Sequence, residues 1–411
     1  MPNESQVLKV SRRRVAVQLA ALSALGPFCI DAYLPSMPDI ARLMGVSMSA
    51  VQATLTAYMV PFALMTLWHG ALSDSLGRKR VVLAGLGIFV AASIGCTFSP
   101  SLPWLIVFRA LQGATAGVGM VIGRAIVRDL YDGPSAQRLM AMVAIVFAIA
   151  PAIAPLIGGW LHHWFGWRSV FGFMGVYSAA LLVAVAISLP ETLHPSKRQP
   201  FNPAFLLRSY KAAITHPAFV MACLATTLSF AGMFLYVLSA PVFLMQHLHV
   251  SETGFLWLFG PLTVGIIIGN GLSARLAGHV PLLKTALYGC VVMVISALGN
   301  VGMNLLMPPS LPWAMIPLFG YMVGMSLALP SLTLKAIDCF PKQRGLAASC
   351  QSFIQSGGSS LLSATAPLFW GTSLRLSIAQ LSFGCLCITA LFLLIHMTRA
   401  EVSGVTPPVS H

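Results

Sequence analysis

The chain has 411 residues, 57% of them hydrophobic and only 8% charged, with a formal net charge of +14. A soluble domain carries about 25% charged residues, so this composition excludes a water-soluble enzyme or binding module and indicates a polytopic membrane protein. The Lys and Arg residues fall in short loops, so the positive charge reports topology and implies no nucleic-acid partner.

Crossing a bilayer takes about 20 mostly apolar residues. Twelve such segments follow one another, at roughly 15–36, 50–70, 81–98, 103–126, 138–161, 169–189, 218–243, 253–274, 285–305, 312–334, 345–368 and 376–397. The first lies behind Arg12, Arg13 and Arg14 and imitates a signal peptide. No small-x-small cleavage site precedes polar sequence, so it is expected to stay as a span. The uncharged run from Thr285 to Leu334 is too long for one crossing, and the Pro-rich break Met307-Pro308-Pro309-Ser310-Leu311-Pro312 divides it.

With the N-terminus inside, the inner segments hold 20 of the 24 Lys and Arg, and the outer ones hold three, Arg42, Arg168 and Arg375. That bias predicts an even number of spans with both termini cytoplasmic. The longest loop, about Pro190 to Pro217, is polar, basic and punctuated by prolines, and Phe201 to Ala213 suits a short interfacial helix. The expected division is therefore an N-terminal six-helix bundle over 1–189, a cytoplasmic linker over 190–217, and a C-terminal six-helix bundle with a short tail over 218–411. Three echoes support an internal duplication. Gly70-x3-Asp74-x2-Gly77 recurs as Gly271-x3-Arg275-x2-Gly278, Leu102-Pro103-Trp104 as Leu311-Pro312-Trp313, and Ala154-Pro155-Leu156 as Ala366-Pro367-Leu368, at offsets of 201, 209 and 212.

Two charges lie inside the spans. Arg109 is the one Lys, Arg, Asp or Glu between Arg80 and Arg124, and Asp31 is the one acid placed within a span. A charge at that depth is costly and by default marks a functional pathway. Span 1 ends near Pro35 and span 4 begins near Pro103, so both charges fall about 6–10 Å from the outer end at about 1.5 Å per residue. Asp31 and Arg109 are therefore expected to approach each other, with changing access moving Asp31 between its proton-bound and free forms. The plainer alternative is that Asp31 is an interface carboxylate anchoring the helix end.

The inner loop Gly70-Ala71-Leu72-Ser73-Asp74-Ser75-Leu76-Gly77-Arg78-Lys79-Arg80 places two glycines for tight turning and close helix approach. Asp74 is expected to face the positive N-terminus of span 11, and Asp129 to pair with Arg78. Together they would form a conformational latch, the alternative being a solvated turn. In span 5, Pro151 and Pro155 each remove a helix hydrogen bond, and Gly158 and Gly159 admit a close neighbour. That combination is read as a hinge, or else as a merely kinked helix.

These stretches resemble the major facilitator superfamily. The Gly70–Arg80 loop looks like its loop 2–3 signature, Arg109 with Gln112 and Gly113 its span 4 signature, and Pro151 to Gly159 the span 5 signature of its antiporters. Ile30-Asp31-Ala32-Tyr33-Leu34-Pro35-Ser36-Met37-Pro38 resembles the end of span 1 in the bicyclomycin/chloramphenicol-resistance branch of drug:proton antiporters. The resemblance implies an all-α membrane fold of two pseudo-symmetric six-helix bundles. It further implies proton-coupled efflux of lipophilic small molecules by alternating access, from a monomer in a bacterial inner (plasma) membrane. Some relatives carry a second acid two turns before the first on span 1, where this chain has Ser23, so their proton stoichiometry does not transfer. A metabolite exporter on the same scaffold is the alternative, and a non-transporting membrane receptor a third reading.

Candidate substrate-cavity residues are Tyr33, Gln52, Tyr58, Gln112, Phe234, Tyr236, Trp257, Asn270, Gln351 and Gln355, near the midplane between the halves. With few embedded charges the cavity is expected to suit neutral, lipophilic molecules. No phosphate-binding Gly-x4-Gly-Lys-Ser/Thr loop, zinc-type spacing among the eight cysteines or nucleophile–base constellation is visible, so no cofactor, metal or enzymatic role is expected. His162-His163 beside Trp164 and Trp167 is read as an interfacial pair rather than a metal site.

Overall fold

The computed structural model describes residues 12–131, 133–199, 201–340 and 344–402, and among them the secondary structure is helical, with no strand. The first helix, α1 (Arg12–Asp31), stops where its sequence demands. Pro35 stands four residues beyond Asp31 and has no N–H to offer the Asp31 carbonyl. The chain turns through a short 3₁₀ segment, Leu34–Ser36, into α2 (Met37–Met44), which closes on Gly45 at φ 64°. Ser47 caps α3 (Met48–Leu76), its hydroxyl accepting from the Ala50 N–H at 3.2 Å. Gly77, at φ 104°, ends α3 and starts α4 (Arg78–Thr97), a backbone conformation in which a side chain would be strained.

The fourth span consists of α5 (Leu102–Ala116) and α6 (Val118–Leu130), interrupted at Gly117. The fifth is the 33-residue α7 (Gly133–Phe165), which carries Pro151 and Pro155 inside one helix, and α8 (Trp167–Ser188) follows. The short helix anticipated in the linker is α9 (Pro203–Ile214). Then come α10 (Pro217–Leu238), a π-helical turn over Pro241–His247, α11 (Leu256–Leu276), α12 (Leu282–Leu306), α13 (Met315–Asp338), α14 (Arg344–Thr365) and α15 (Ser373–Val402).

Among the described residues, ten helical segments are long and apolar enough to cross a membrane. The two remaining long helices, α7 and α14, have 33 and 22 residues, which at 1.5 Å per residue also reach across about 30 Å of hydrocarbon. Serines and glutamines from Ser349 to Ser363 keep α14 less apolar than the others. Large side chains such as Ile94, Val107, Val176, Ile187 and Ile295 stand exposed on the helix surfaces, as a hydrocarbon solvent requires. The protein is a multi-pass membrane protein.

Two compact units can be distinguished. Unit 1 comprises the chain to Asn202 together with Val250–Phe259, and unit 2 comprises Pro203–His249 with the chain from Gly260 onward. This partition differs in two places from a division at the 190–217 linker: α9 groups with unit 2, and the short segment entering α11 groups with unit 1. In unit 1, α1 packs on α7, α3 on α5, and α4 on α5 and α8. In unit 2, α12 packs on α13 and α15, and α10 on α13, α14 and α15.

Candidate functional site

The largest fully buried side chain among the described residues is that of Arg109, on α5 in unit 1. Its Nη1 donates to Gln112 Oε1 at 3.0 Å, to Cys29 Sγ at 3.1 Å and to the Cys29 carbonyl at 3.4 Å. The guanidinium carbon lies 4.4 Å from the ring centre of Tyr58, 5.1 Å from that of Tyr33 and 5.9 Å from that of Phe171. A desolvated cation over an aromatic face gains about 2 kcal/mol, so three rings offset much of the cost of burying this charge. Gln112 is itself tied down, donating from Nε2 to Ser93 Oγ at 2.8 Å. Arg109 Nε and Nη2 have no hydrogen-bond partner among the described residues.

The cage exists because α5 and α3 touch backbone to backbone. A Cβ added at Gly113 would lie 1.9 Å from the Tyr58 carbonyl oxygen. Tyr58 donates through its hydroxyl to the Gly26 carbonyl at 2.9 Å, and the Tyr33 and Thr54 hydroxyls are 2.9 Å apart. Helices α1, α3 and α5 are thereby locked around the guanidinium. Tyr33, Tyr58 and Gln112, expected to line a substrate cavity, pack directly on Arg109.

Asp31 is also buried, with 4% of its surface exposed, yet it forms no ion pair among the described residues. The expected Arg109–Asp31 pairing is therefore corrected. The depth estimate agrees with Arg109 reaching the last turn of α1, where it meets Cys29. Cys29, two residues before Asp31 on α1, takes the place beside the guanidinium. Ser23, which stands where some relatives have an acid, is buried in the same helix.

The inner loop forms a denser polar knot than the sequence suggested. Arg78 joins Asp74 Oδ1 at 2.5 Å through Nη1 and Asp129 Oδ2 at 3.1 Å through Nε, and Nη1 also donates to Ser73 Oγ at 2.6 Å. The Arg78–Asp129 contact is thus present. The linker contributes residues the sequence reading did not single out. Glu191 Oε1 accepts from the backbone N–H of Arg78 at 2.9 Å, and Thr192 Oγ1 donates to Asp129 Oδ2 at 3.0 Å. Their signal was Glu191 directly after the Pro190 that follows α8, one acid among many basic loop residues. Gly70 does not turn the chain: it lies inside α3, and a Cβ there would meet only Val121 at 3.9 Å.

In α7, a Cβ at Gly158 would lie 1.9 Å from the Ala32 carbonyl, and one at Gly159 would lie 2.6 Å from the Glu252 carbonyl. Both are close approaches within unit 1, to the chain just past Asp31 and to the Val250–Phe259 segment. Pro151 is half-buried and Pro155 buried.

The other candidates differ in burial. Gln52 is buried, Trp257 is 49% exposed, Asn270 is exposed, and Gln351 is buried with Nε2 donating to Thr333 Oγ1 at 3.1 Å. Gln355 is half-buried. Phe234 and Tyr236 are buried in unit 2, where Asn300 Nδ2 donates to Tyr236 Oη and to Gln380 Oε1, each at 2.8 Å. Asn300 and Gln380 escaped the sequence reading because a lone amide in an apolar helix carries no motif. A small cleft opens beside Asn300, lined also by Asn304, Ser310 and Trp313.

Long apolar helices, with a buried cation inside unit 1, are those of an α-helical membrane protein. The model of the Major Facilitator Superfamily matches residues 19–364, and the chain belongs to that family of secondary transporters, which are not enzymes and which carry small-molecule substrates. It is 30% identical over 329 residues to the uncharacterized MFS-type transporter YdgK of Bacillus subtilis, covering 80% of this chain and 82% of the relative. It is 27% identical to a bicyclomycin resistance protein homolog of Haemophilus influenzae, covering 80% and 83%. To multidrug resistance protein D of Escherichia coli it is 27% identical, covering 84% and 86%. Among solved structures, a bacterial homolog of the human lysosomal transporter Spinster, crystallised inward-facing and unoccupied, superposes with a TM-score of 0.72. It covers 99% of this chain and 100% of that one at 15% identity, a likeness of fold alone.

Proposed function

We propose that this protein is a proton-coupled exporter of lipophilic antibiotics or similar drugs in a bacterial inner membrane, working by alternating access. The observation that carries the reading is Arg109, a permanent cation buried in unit 1 and balanced by aromatic faces and an amide rather than by a carboxylate. Arginine does not lose its proton in proteins, so the exchangeable proton belongs to a neighbour. Asp31, buried in the same bundle and free of ion pairs among the described residues, is assigned that role. Arg109 holds the end of α1 through Cys29 and sets the field Asp31 experiences. The Arg78–Asp74–Asp129 knot is assigned the inner latch, and the Pro151–Gly159 stretch of α7 the hinge. Resistance names among relatives at 26–30% identity support drugs as the substrate class.

The test is a drug-susceptibility panel in an efflux-deficient host. Wild type is expected to raise tolerance to several lipophilic antibiotics, and Asp31→Asn and Arg109→Ala, at equal expression, to abolish the gain. Full proton-driven efflux by Asp31→Asn would remove Asp31 from the mechanism. No drug phenotype together with proton-coupled metabolite release would assign the chain to metabolite export.

A further inference from the structure

A second group of titratable side chains lies at the end of unit 1 opposite the inner knot. His162 and His163 come from the last turn of α7, Asp39 and Arg42 from α2, and Glu252 from the Val250–Phe259 segment. His162 is 6% exposed, and its Nε2 stands between two carboxylates, 3.2 Å from Glu252 Oε2 and 3.7 Å from Asp39 Oδ2. His163 Nδ1 contacts the other oxygen, Glu252 Oε1, at 2.8 Å, and Asp39 also pairs with Arg42. The neighbouring α8 contributes no further charge, because Arg168 is turned to the Ser99 carbonyl and lies over the Trp167 ring. In α1, Asp31 makes no ion pair with either imidazole.

Two carboxylates and one guanidinium leave this cluster one positive charge short of neutrality. Imidazole is the side chain that supplies such a charge between about pH 5 and about pH 8. The buried position of His162 Nε2 between the two carboxylates makes it the ring that bridges both when charged. Among the described residues no group of three or more His, Cys, Asp or Glu is arranged to hold a metal ion.

We propose that His162 is a proton-binding site distinct from Asp31, and that its protonation clasps the Val250–Phe259 segment onto the end of α7. The seat is already shaped for it: Gly159 is the position where a Cβ would lie 2.6 Å from the Glu252 carbonyl, so the segment's backbone rests directly on α7. The segment runs on into α11, so the clasp acts at the entry to that helix. In the orientation set by the basic loops this end faces outside, where an acid exterior supplies the proton.

The test uses the full-length protein in lipid nanodiscs and follows backbone hydrogen exchange of Val250–Phe259, corrected for intrinsic rates, at about pH 5.5 and about pH 8. In wild type the segment is expected to exchange about tenfold more slowly at the lower pH. His162→Gln removes the pH difference and exchanges at the faster rate throughout. Glu252→Gln, at a partly exposed position, does the same. His162→Lys, with a fixed positive charge, exchanges slowly at both pH values, and His163→Gln keeps most of the difference. Exchange of Leu282–Leu306 reports whether each variant is folded, and if His162→Gln fails that check, Glu252→Gln decides. A pH-independent wild type, or a pH effect that survives both His162→Gln and Glu252→Gln, overturns the proposal. So does protection that requires added zinc and vanishes with a chelator.

Discussion

The two units each bury a polar cluster, and the clusters differ in kind. Tyr33 and Tyr236, Ser93 and Asn300, and Phe171 and Gln380 stand 203, 207 and 209 residues apart, in line with the offsets of the repeated motifs. The cluster of unit 1 has Arg109 at its centre, and the position 209 residues later is Leu318, buried and apolar. Unit 2 closes its cluster with neutral groups: both hydrogen bonds of Asn300 Nδ2 are made, to Tyr236 and to Gln380. In unit 1, Arg109 makes its hydrogen bonds through Nη1, while Nε and Nη2 have none among the described residues. A completed neutral network fixes one arrangement of its helices. A buried cation with open donors responds when a nearby carboxyl gains or loses charge. Unit 2 thus buries a neutral, fully paired polar cluster where unit 1 buries a charged one with open donors.

The comparison breaks most decisively at Arg109. Arg109→Ala is expected to abolish proton-driven transport in proteoliposomes. Arg109→Lys should restore only part of it, because a compact ammonium does not reproduce the planar fork that meets Gln112 and Cys29 while lying on three rings. Equal transport by both variants would mean that the charge has no part in coupling. Next in size is Gly113→Ala, whose methyl collides with the Tyr58 carbonyl. A loss of about 1–3 kcal/mol is expected, read as a lowered melting temperature of the purified protein. Gly87→Ala is the control, since a Cβ there meets nothing within 4 Å. Asn300→Ala in the neutral cluster should also cost about 1–3 kcal/mol by stranding the Tyr236 hydroxyl and Gln380. It should leave the pH dependence of transport as in wild type, and a shifted pH profile would show that unit 2 shares in coupling. The smallest effect belongs to Asp129→Asn in the inner knot. Its pair with Arg78 is partly exposed, so no more than about 1 kcal/mol is expected, with a modest change in transport rate.

Much of the architecture is legible in the sequence. Hydropathy marked the spans, and Pro35 marked the end of α1. The short helix in the linker followed from a polar, basic, Pro-bounded stretch. Of the site, Arg109 was legible as an expensive charge in an apolar run, and Gly77 and Arg78 as the turn and its ion pair. The linker residues Glu191 and Thr192 were not, because their role depends on which helix end lies beside them. Asn300 and Gln380 were silent for the same reason: 80 residues separate them, and neither sits in a motif.

The sequence by itself determined the order of the long apolar helices, their membrane class and the superfamily. Those properties are one-dimensional, set by the length of apolar runs, the position of breakers and the rise per residue. Only the tertiary structure decided azimuth and partnership. It put Cys29 and three aromatic rings, rather than an Asp31 ion pair, against Arg109, and brought His162 between Asp39 and Glu252. These depend on helix rotation and on backbone contact at Gly113, Gly158 and Gly159, where an added Cβ would overlap a neighbouring carbonyl oxygen.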